Sequence, residues 1–350
     1  MERSSKIYVS GHTGLVGSAL VKALAGKGYK NIITRRHGDL DLTRQKETED
    51  FFRRERPEYV FLAAARVGGI LANDTFKAQF IYDNLAIAVN VIDACYKTGV
   101  KRLLNLGSSC VYPRLAPQPI SENSLLTSPL EPTNEPYAIA KIAAIKLCRY
   151  YNEQYDTDFI SVMPTNLYGD NDNFDLTTSH VLPAMIRKFH LAKLLERKDF
   201  DAVRIDLGRK GNPSGKSAVS MSDKDIIKVL KNNGITAHAV KLWGSGRPKR
   251  EFLHVEDMVD ACMFLMQRAE LGNAGECINI GCGKDLSIKE LACMVRDIVG
   301  YEGKISWDRS KPDGTPRKLL NVSKITKMGW RPAIELADGI RKTYEMYLRK

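Results

Sequence analysis

The chain of 350 residues is most easily read from what it lacks. No stretch approaches the ~18 consecutive apolar residues that a membrane-spanning helix needs. The opening, MERSSKIYVSG, reads as entering a strand at once, so no signal peptide is expected there. The seven cysteines (Cys95, Cys110, Cys148, Cys262, Cys277, Cys282, Cys293) form no CxxC pair. Their odd count argues against a disulfide framework and for a reducing, cytoplasmic setting. The six histidines show no metal-ligand spacing with cysteine or carboxylate, so no metal is expected. No internal repeat or low-complexity tract interrupts the chain. Lys and Arg exceed Asp and Glu by 12, but they are dispersed, with no basic tail and no RNA-binding aromatic motif. That pattern predicts a solvated basic surface, with at most an attraction for small phosphorylated ligands, and no nucleic acid.

What is present is alternation. In the first 170 or so residues, short apolar runs (KIYVSG, NIIT, YVFLAAA, RLLNLGSS, DFISVMPTN) are separated by amphipathic stretches such as 18–26, 78–99 and 137–154. Strands alternating with helices require parallel pairing through right-handed crossovers, which predicts a doubly wound, Rossmann-type sheet. The pattern breaks after residue 170. The length suits a second, smaller α/β lobe for substrate, expected at 171–250 and 283–350. Residues 251–282 read as a helix and strand that rejoin the first lobe, so the lobes should be interleaved. Residues 196–234 are charged and glycine-dotted, and they read as a surface insertion whose role is not legible. Within it, Ser222 is a plausible helix N-cap and Gly234 a C-cap.

Chemistry is carried by four places. The loop Gly11-His12-Thr13-Gly14-Leu15-Val16-Gly17 follows a strand and opens a helix. Its glycines suit a tight turn under a pyrophosphate that rests on the helix N-terminus. The spacing is Gly-x2-Gly-x2-Gly, so it matches the standard dinucleotide fingerprint only in part. The second strand leads into Arg35 and Arg36, where an NAD enzyme usually carries an acid. Two guanidinium groups suit a 2′-phosphate, which favours NADP(H) over NAD(H). Tyr137 and Lys141 stand one helical turn apart. A free tyrosine has a pKa near ~10, and a neighbouring ammonium is expected to lower it and make the phenol a usable acid. Ser108 ends an interior strand, and Cys110 follows it in a polar loop. His180, taken alone, reads as a helix-start residue rather than a catalyst.

These residues lie in longer stretches: GHTGLVGSAL, AAARVGGILAN, NLGSSCVYP, EPYAIAKIA, MPTNLYG, HVLPAMIRKFH, LWGSGRPKREFLHVEDM and SKPDGTPRKLL. Together they resemble the extended short-chain dehydrogenase/reductase family, and within it the GDP-L-fucose synthases. The resemblance covers nearly the whole chain apart from 196–234. It implies a GDP-4-keto-6-deoxy-D-mannose 3,5-epimerase/4-reductase that uses NADP(H). By position, Ser108, Tyr137 and Lys141 match the family's reductase triad, and Cys110 and His180 match its epimerisation acid/base pair. Residues 11–17, Leu106, Gly107, Ser108, Ser109, Lys141, Pro164, Thr165, Asn166, Leu167 and His180 match cofactor-binding positions. Lys188, Trp243, Arg250 and Asp313 fall where the family holds the GDP-sugar. Thr13 departs from members that place an arginine there.

A homodimer through the long helices of the first lobe is implied by the same resemblance. Three other readings compete. A 4,6-dehydratase would need a carboxylate where this chain has Ser109 and Cys110. A GDP-deoxysugar 4-reductase of the colitose type, epimerising one centre or none, would keep many of the same residues. A non-catalytic NADP-binding regulator would be expected to have lost the tyrosine or the lysine.

Overall fold

In this computed structural model, residues 1–215, 217–268, 275–311 and 313–349 are described. Residues 216, 269–274, 312 and 350, which fall in the expected insertion, the returning segment and the substrate lobe, lie outside the described residues. The chain divides into two compact units. The first comprises Met1–Leu167, Glu251–Lys284 and Leu319–Ile334; the second comprises Tyr168–Arg250, Asp285–Lys318 and Glu335–Lys350.

The first unit is the doubly wound sheet that the alternation predicts. Its strands are β1 (Ile7–Ser10), β2 (Ile32–Ile33), β3 (Tyr59–Leu62), β4 (Arg102–Leu106) and β5 (Phe159–Pro164). The helices between them are α1 (Leu15–Gly26), α2 (Gln45–Glu55), the short α3 (Ile70–Thr75), α4 (Lys77–Thr98) and α5 (Glu135–Tyr155). The strand Ile278–Ile280 completes the sheet beside β5, giving the order 278–280, β5, β4, β3, β1, β2. Every pairing in it is parallel.

Successive side chains of a strand point to opposite faces, and both faces here are covered. Ile7 and Val9 of β1 pack with Leu20 and Leu24 of α1 and with the helix Val255–Gln267. Tyr8, between them, packs with Phe51 and Phe52 of α2 and with Val91 and Ile92 of α4. The chain leaves β1 for β2 on one side and returns as β3 on the other. Open α/β sheets bind ligands at the carboxyl ends of the strands at such a reversal, and β1 ends there, just before Gly11.

The second unit has a parallel pair, Ala239–Trp243 with Lys304–Asp308, and a three-stranded set of Leu286–Ser287, Lys249–Arg250 and Arg317–Lys318. Among its described residues are the helices Val181–Glu196, Phe200–Lys210, Asp223–Asn232, Ile288–Val299 and Leu336–Arg349. Ser222 caps Asp223–Asn232 by accepting from the amide of Asp225. Gly234 follows that helix in the left-handed region, φ 75°. Ser287 and Glu290 form a reciprocal capping box on Ile288–Val299.

Candidate active site

The glycine loop is built for close approach. Gly11 has φ 69°, and a Cβ on it would come within 2.8 Å of the Ala64 backbone. A Cβ on Gly17 would lie 2.1 Å from the Gly11 carbonyl oxygen, so this glycine is required by the turn itself. Gly14 differs. It is exposed, and a Cβ there would meet only the Gly11 oxygen, at 3.5 Å. Gly14 is also the N-cap of α1, whose first-turn amides at Leu15, Val16 and Gly17 have no carbonyl to bond within the helix. His12 Nδ1 is buried in this loop without a hydrogen-bond partner among the described residues. An open backbone cradle, free amides at a helix N-terminus and an orphaned polar atom fit a pyrophosphate-bearing dinucleotide.

At the carboxyl end of β4, Lys141 donates to the carbonyl of Leu106 at 2.7 Å. Gly107 donates its amide to Val162 of β5, and a Cβ on it would strike the Met163 side chain at 2.2 Å. Ser108 is the N-cap of the tight turn Ser109–Val111, and its hydroxyl accepts from the Cys110 amide at 3.4 Å. The Cys110 thiol also donates to that hydroxyl, at 2.9 Å. Tyr137 sits in the first turn of α5, edge-on to Phe80, with the Lys141 ammonium 5.8 Å from its ring centre.

One expectation is corrected here. The ammonium does not lower the Tyr137 phenol; burial pushes it well above the ordinary tyrosine value, and Cys110 adds to the rise. Lys141 points its charge at Leu106 and lies against the ring, so loss of water dominates both groups. Burial also draws the Lys141 ammonium down to about 8.

The two arginines after β2 part company. Arg35 donates to Glu55 at 2.8 Å and to the Thr34 carbonyl, and it covers the Phe51 ring. Arg36 is exposed, and no bond of its guanidinium is recorded among the described residues. Beyond β5, the Thr165 hydroxyl and the Asn166 amide both donate to the main-chain carbonyl of Glu251, at 3.1 and 2.8 Å. Glu251 itself is fully buried, and its carboxylate accepts from the amides of Gly283 and Leu320. Sequence reasoning passed over this residue. An acid between Arg250 and Phe252, at the border of a polar and an apolar run, was the available signal.

The other expected residues belong to the second unit. His180 is the N-cap of helix Val181–Glu196 and makes no side-chain capping bond. Desolvation by the surrounding protein lowers its imidazole below the ordinary histidine value. Lys188, two turns along, donates to the Asn233 carbonyl at 2.9 Å, and burial lowers its ammonium to about 8. Trp243 is 60% exposed, with the Lys311 ammonium 5.3 Å from its ring centre. Burial lowers the Arg250 guanidinium below its usual range, and Asp313 opposes that shift. Both carboxylate oxygens of Asp313 accept from Ser245, its amide at 2.6 Å and its hydroxyl at 2.7 Å, and these bonds hold the carboxyl below the usual range. Among the described residues, no cluster of His, Cys, Asp and Glu is arranged to hold a metal. No helix among them is long and apolar enough to cross a membrane.

The chain is 50% identical over 348 residues to GDP-L-fucose synthase 1 of Arabidopsis thaliana, covering 99% of this chain and 94% of that one. It is 44% identical over 349 residues to the GDP-L-fucose synthase of Escherichia coli K12, covering 98% and 96%. Among solved structures, the GDP-mannoheptose C4 reductase of Campylobacter jejuni with NADP bound matches with a TM-score of 0.88, at 40% identity over 99% of each chain. Residues 7–208 and 201–281 match the NAD dependent epimerase/dehydratase family, and the chain belongs to that family.

Proposed function

We propose that this chain is an NADP(H)-dependent GDP-L-fucose synthase, which epimerises GDP-4-keto-6-deoxy-D-mannose at carbons 3 and 5 and reduces its 4-ketone. The observation that carries this reading is the grouping of Ser108, Cys110, Tyr137 and Lys141 around the end of β4. Identity of 44–50% to two GDP-L-fucose synthases over nearly the whole chain supports it.

The ketone at carbon 4 acidifies the hydrogens on carbons 3 and 5, because the resulting carbanion is an enolate. Ser108 and Tyr137 hydrogen-bond the enolate oxygen, as oxyanion donors do. Inverting each centre needs an acid and a base on opposite faces of the sugar. Cys110 acts as the base in its thiolate form, its thiol proton having passed to solvent, and His180 returns a proton from its ring N–H on the opposite face and regains one from solvent. NADPH, when bound, supplies the hydride that adds to carbon 4. Tyr137, kept protonated by its burial, gives its proton to the carbon-4 oxygen. Lys141 holds the turn of α5 against Leu106 and keeps the tyrosine in register.

The glycine loop, residues 106–109 and residues 164–167 bind the cofactor, with Arg36 at the 2′-phosphate. Lys188, Arg250 and Trp243 take the diphosphate and the base. Asp313 acts by holding the loop at Ser245. In domain terms, the first unit is the cofactor lobe and the second the substrate lobe. The enzyme is cytoplasmic and works as a homodimer. Support for the dimer comes from α4 and α5, which expose Tyr82, Val89, Ile139 and Tyr150, large apolar side chains that a partner would cover.

The decisive experiment mixes the protein with GDP-4-keto-6-deoxy-D-mannose and NADPH in deuterated water and identifies the product by NMR. GDP-L-fucose labelled at carbons 3 and 5, with NADPH consumed, is the expected result. Reduction without label at one or both centres would make this a 4-reductase with partial or no epimerisation. That second reading has support from the C4 reductase of similar structure. In Cys110→Ser, label should be lost before reduction is.

A further inference from the structure

Residues 196–234 carry none of the expected catalytic, cofactor or substrate residues, yet four of their groups, the Asp206 carboxylate and the main-chain carbonyls of Lys210, Gly211 and Asn233, bond to Arg187 or Lys188 of one helix. Arg187, the residue before Lys188, is fully buried. Its guanidinium donates to Asp206 at 2.9 Å and to the carbonyls of Phe174, Lys210 and Gly211 at 3.2, 2.8 and 2.6 Å. Asp206, in helix Phe200–Lys210, is itself buried and takes a second bond from the Tyr347 hydroxyl of the C-terminal helix. Four pieces of the second unit therefore meet on one ion pair. From the other end of the segment, the Asn233 carbonyl accepts from the Lys188 ammonium.

Consecutive helical residues point about 100° apart, so fixing Arg187 fixes the direction in which Lys188 leaves the helix. A buried guanidinium that loses its counter-ion must find water or another partner, and the helix would rotate or shift to let it. The Asn233 carbonyl takes one of the three ammonium protons and leaves two for phosphate oxygens. We propose that Asp206 is a positioning residue for the diphosphate site: by pairing with Arg187 it sets the rotation of helix Val181–Glu196 that aims Lys188. Residues 196–234 are thereby part of the substrate-binding apparatus. The inference rests on the reading that Lys188 meets the diphosphate of a GDP-sugar.

The test is calorimetric binding of GDP and, separately, NADPH to the full-length protein and its variants. In Asp206→Asn, GDP affinity should fall about tenfold, the loss of one charge-assisted contact, while NADPH affinity is unchanged. Asp206→Glu should recover most of it. If Asp206→Asn does not fold, the double variant Arg187→Met with Asp206→Leu removes both charges and leaves none uncompensated. It should bind NADPH normally and GDP weakly, and KM for the GDP-sugar should rise with kcat little changed. A folded variant that binds NADPH and GDP as the wild type does would overturn the proposal and leave the ion pair a purely structural element. Wild-type protein that fails to bind GDP would overturn the GDP-sugar reading and this inference with it, and the two failures are distinct.

Discussion

Lys141 donates to the main-chain oxygen of Leu106 across 2.7 Å, joining α5 to the end of β4. The bond explains how a tyrosine and a serine from distant parts of the sequence come to share one place. It also holds a lysine whose charge burial disfavours. Below about pH 8 the ammonium is present and the bond is charge-assisted; above it, the charge is lost. Reductive kcat/KM should therefore fall as pH rises through 8, and Lys141→Arg should move that fall to higher pH. Tyr137→Phe should cost about 10²–10⁴ in the reductive rate while leaving NADPH and GDP binding intact.

Lys188 should impose a similar limit on binding. Its ammonium titrates near 8, so GDP affinity should be greatest below that pH and decline above it. Lys188→Arg stays charged and should abolish the decline. Stability responds in the opposite sense. Burial disfavours the charged lysine, so from pH 8 to about 10.5 the unfolded chain binds more protons and the native state gains stability as pH rises. Melting curves of Lys188→Met should lack that part of the gain.

Two glycines of the loop should separate folding from cofactor binding. Gly17→Ala forces a Cβ to within 2.1 Å of the Gly11 oxygen and should cost about 1–3 kcal/mol in thermal unfolding. Gly14→Ala meets nothing closer than 3.5 Å in the protein and should cost about 1 kcal/mol or less. Its methyl would stand in the cradle, so NADPH affinity should drop even though the protein folds.

Cofactor choice should depend on Arg36 more than on Arg35. Arg35 is tied to Glu55, whereas Arg36 is exposed. Arg36→Ala should weaken NADPH by about tenfold and leave NADH unchanged, as expected for one phosphate contact. Equal losses for both cofactors would remove the 2′-phosphate assignment.

The sequence by itself determined the elements and their order, because periodicity and caps are local. The run KIYVSG is β1 as far as Ser10, and the stretch 78–99 is α4 almost to the residue. Ser222 caps its helix as its position before an apolar-periodic run implied. The parallel doubly wound sheet followed from alternation alone. The proposed catalytic pair was legible for the same reason, since Tyr137 and Lys141 need only one helical turn to be neighbours.

Tertiary structure decided what each charge does, because that depends on partners distant in sequence. Glu55 accepts a hydrogen bond from Arg35, and Ser245 donates to both oxygens of Asp313. Burial outweighs Lys141 at the Tyr137 phenol, reversing the direction expected from spacing. Arg187 finds Asp206 only when helix Phe200–Lys210 folds against Val181–Glu196, and no periodicity in 196–234 announces that pairing. Local sequence set the backbone; desolvation and long-range hydrogen bonds set the chemistry.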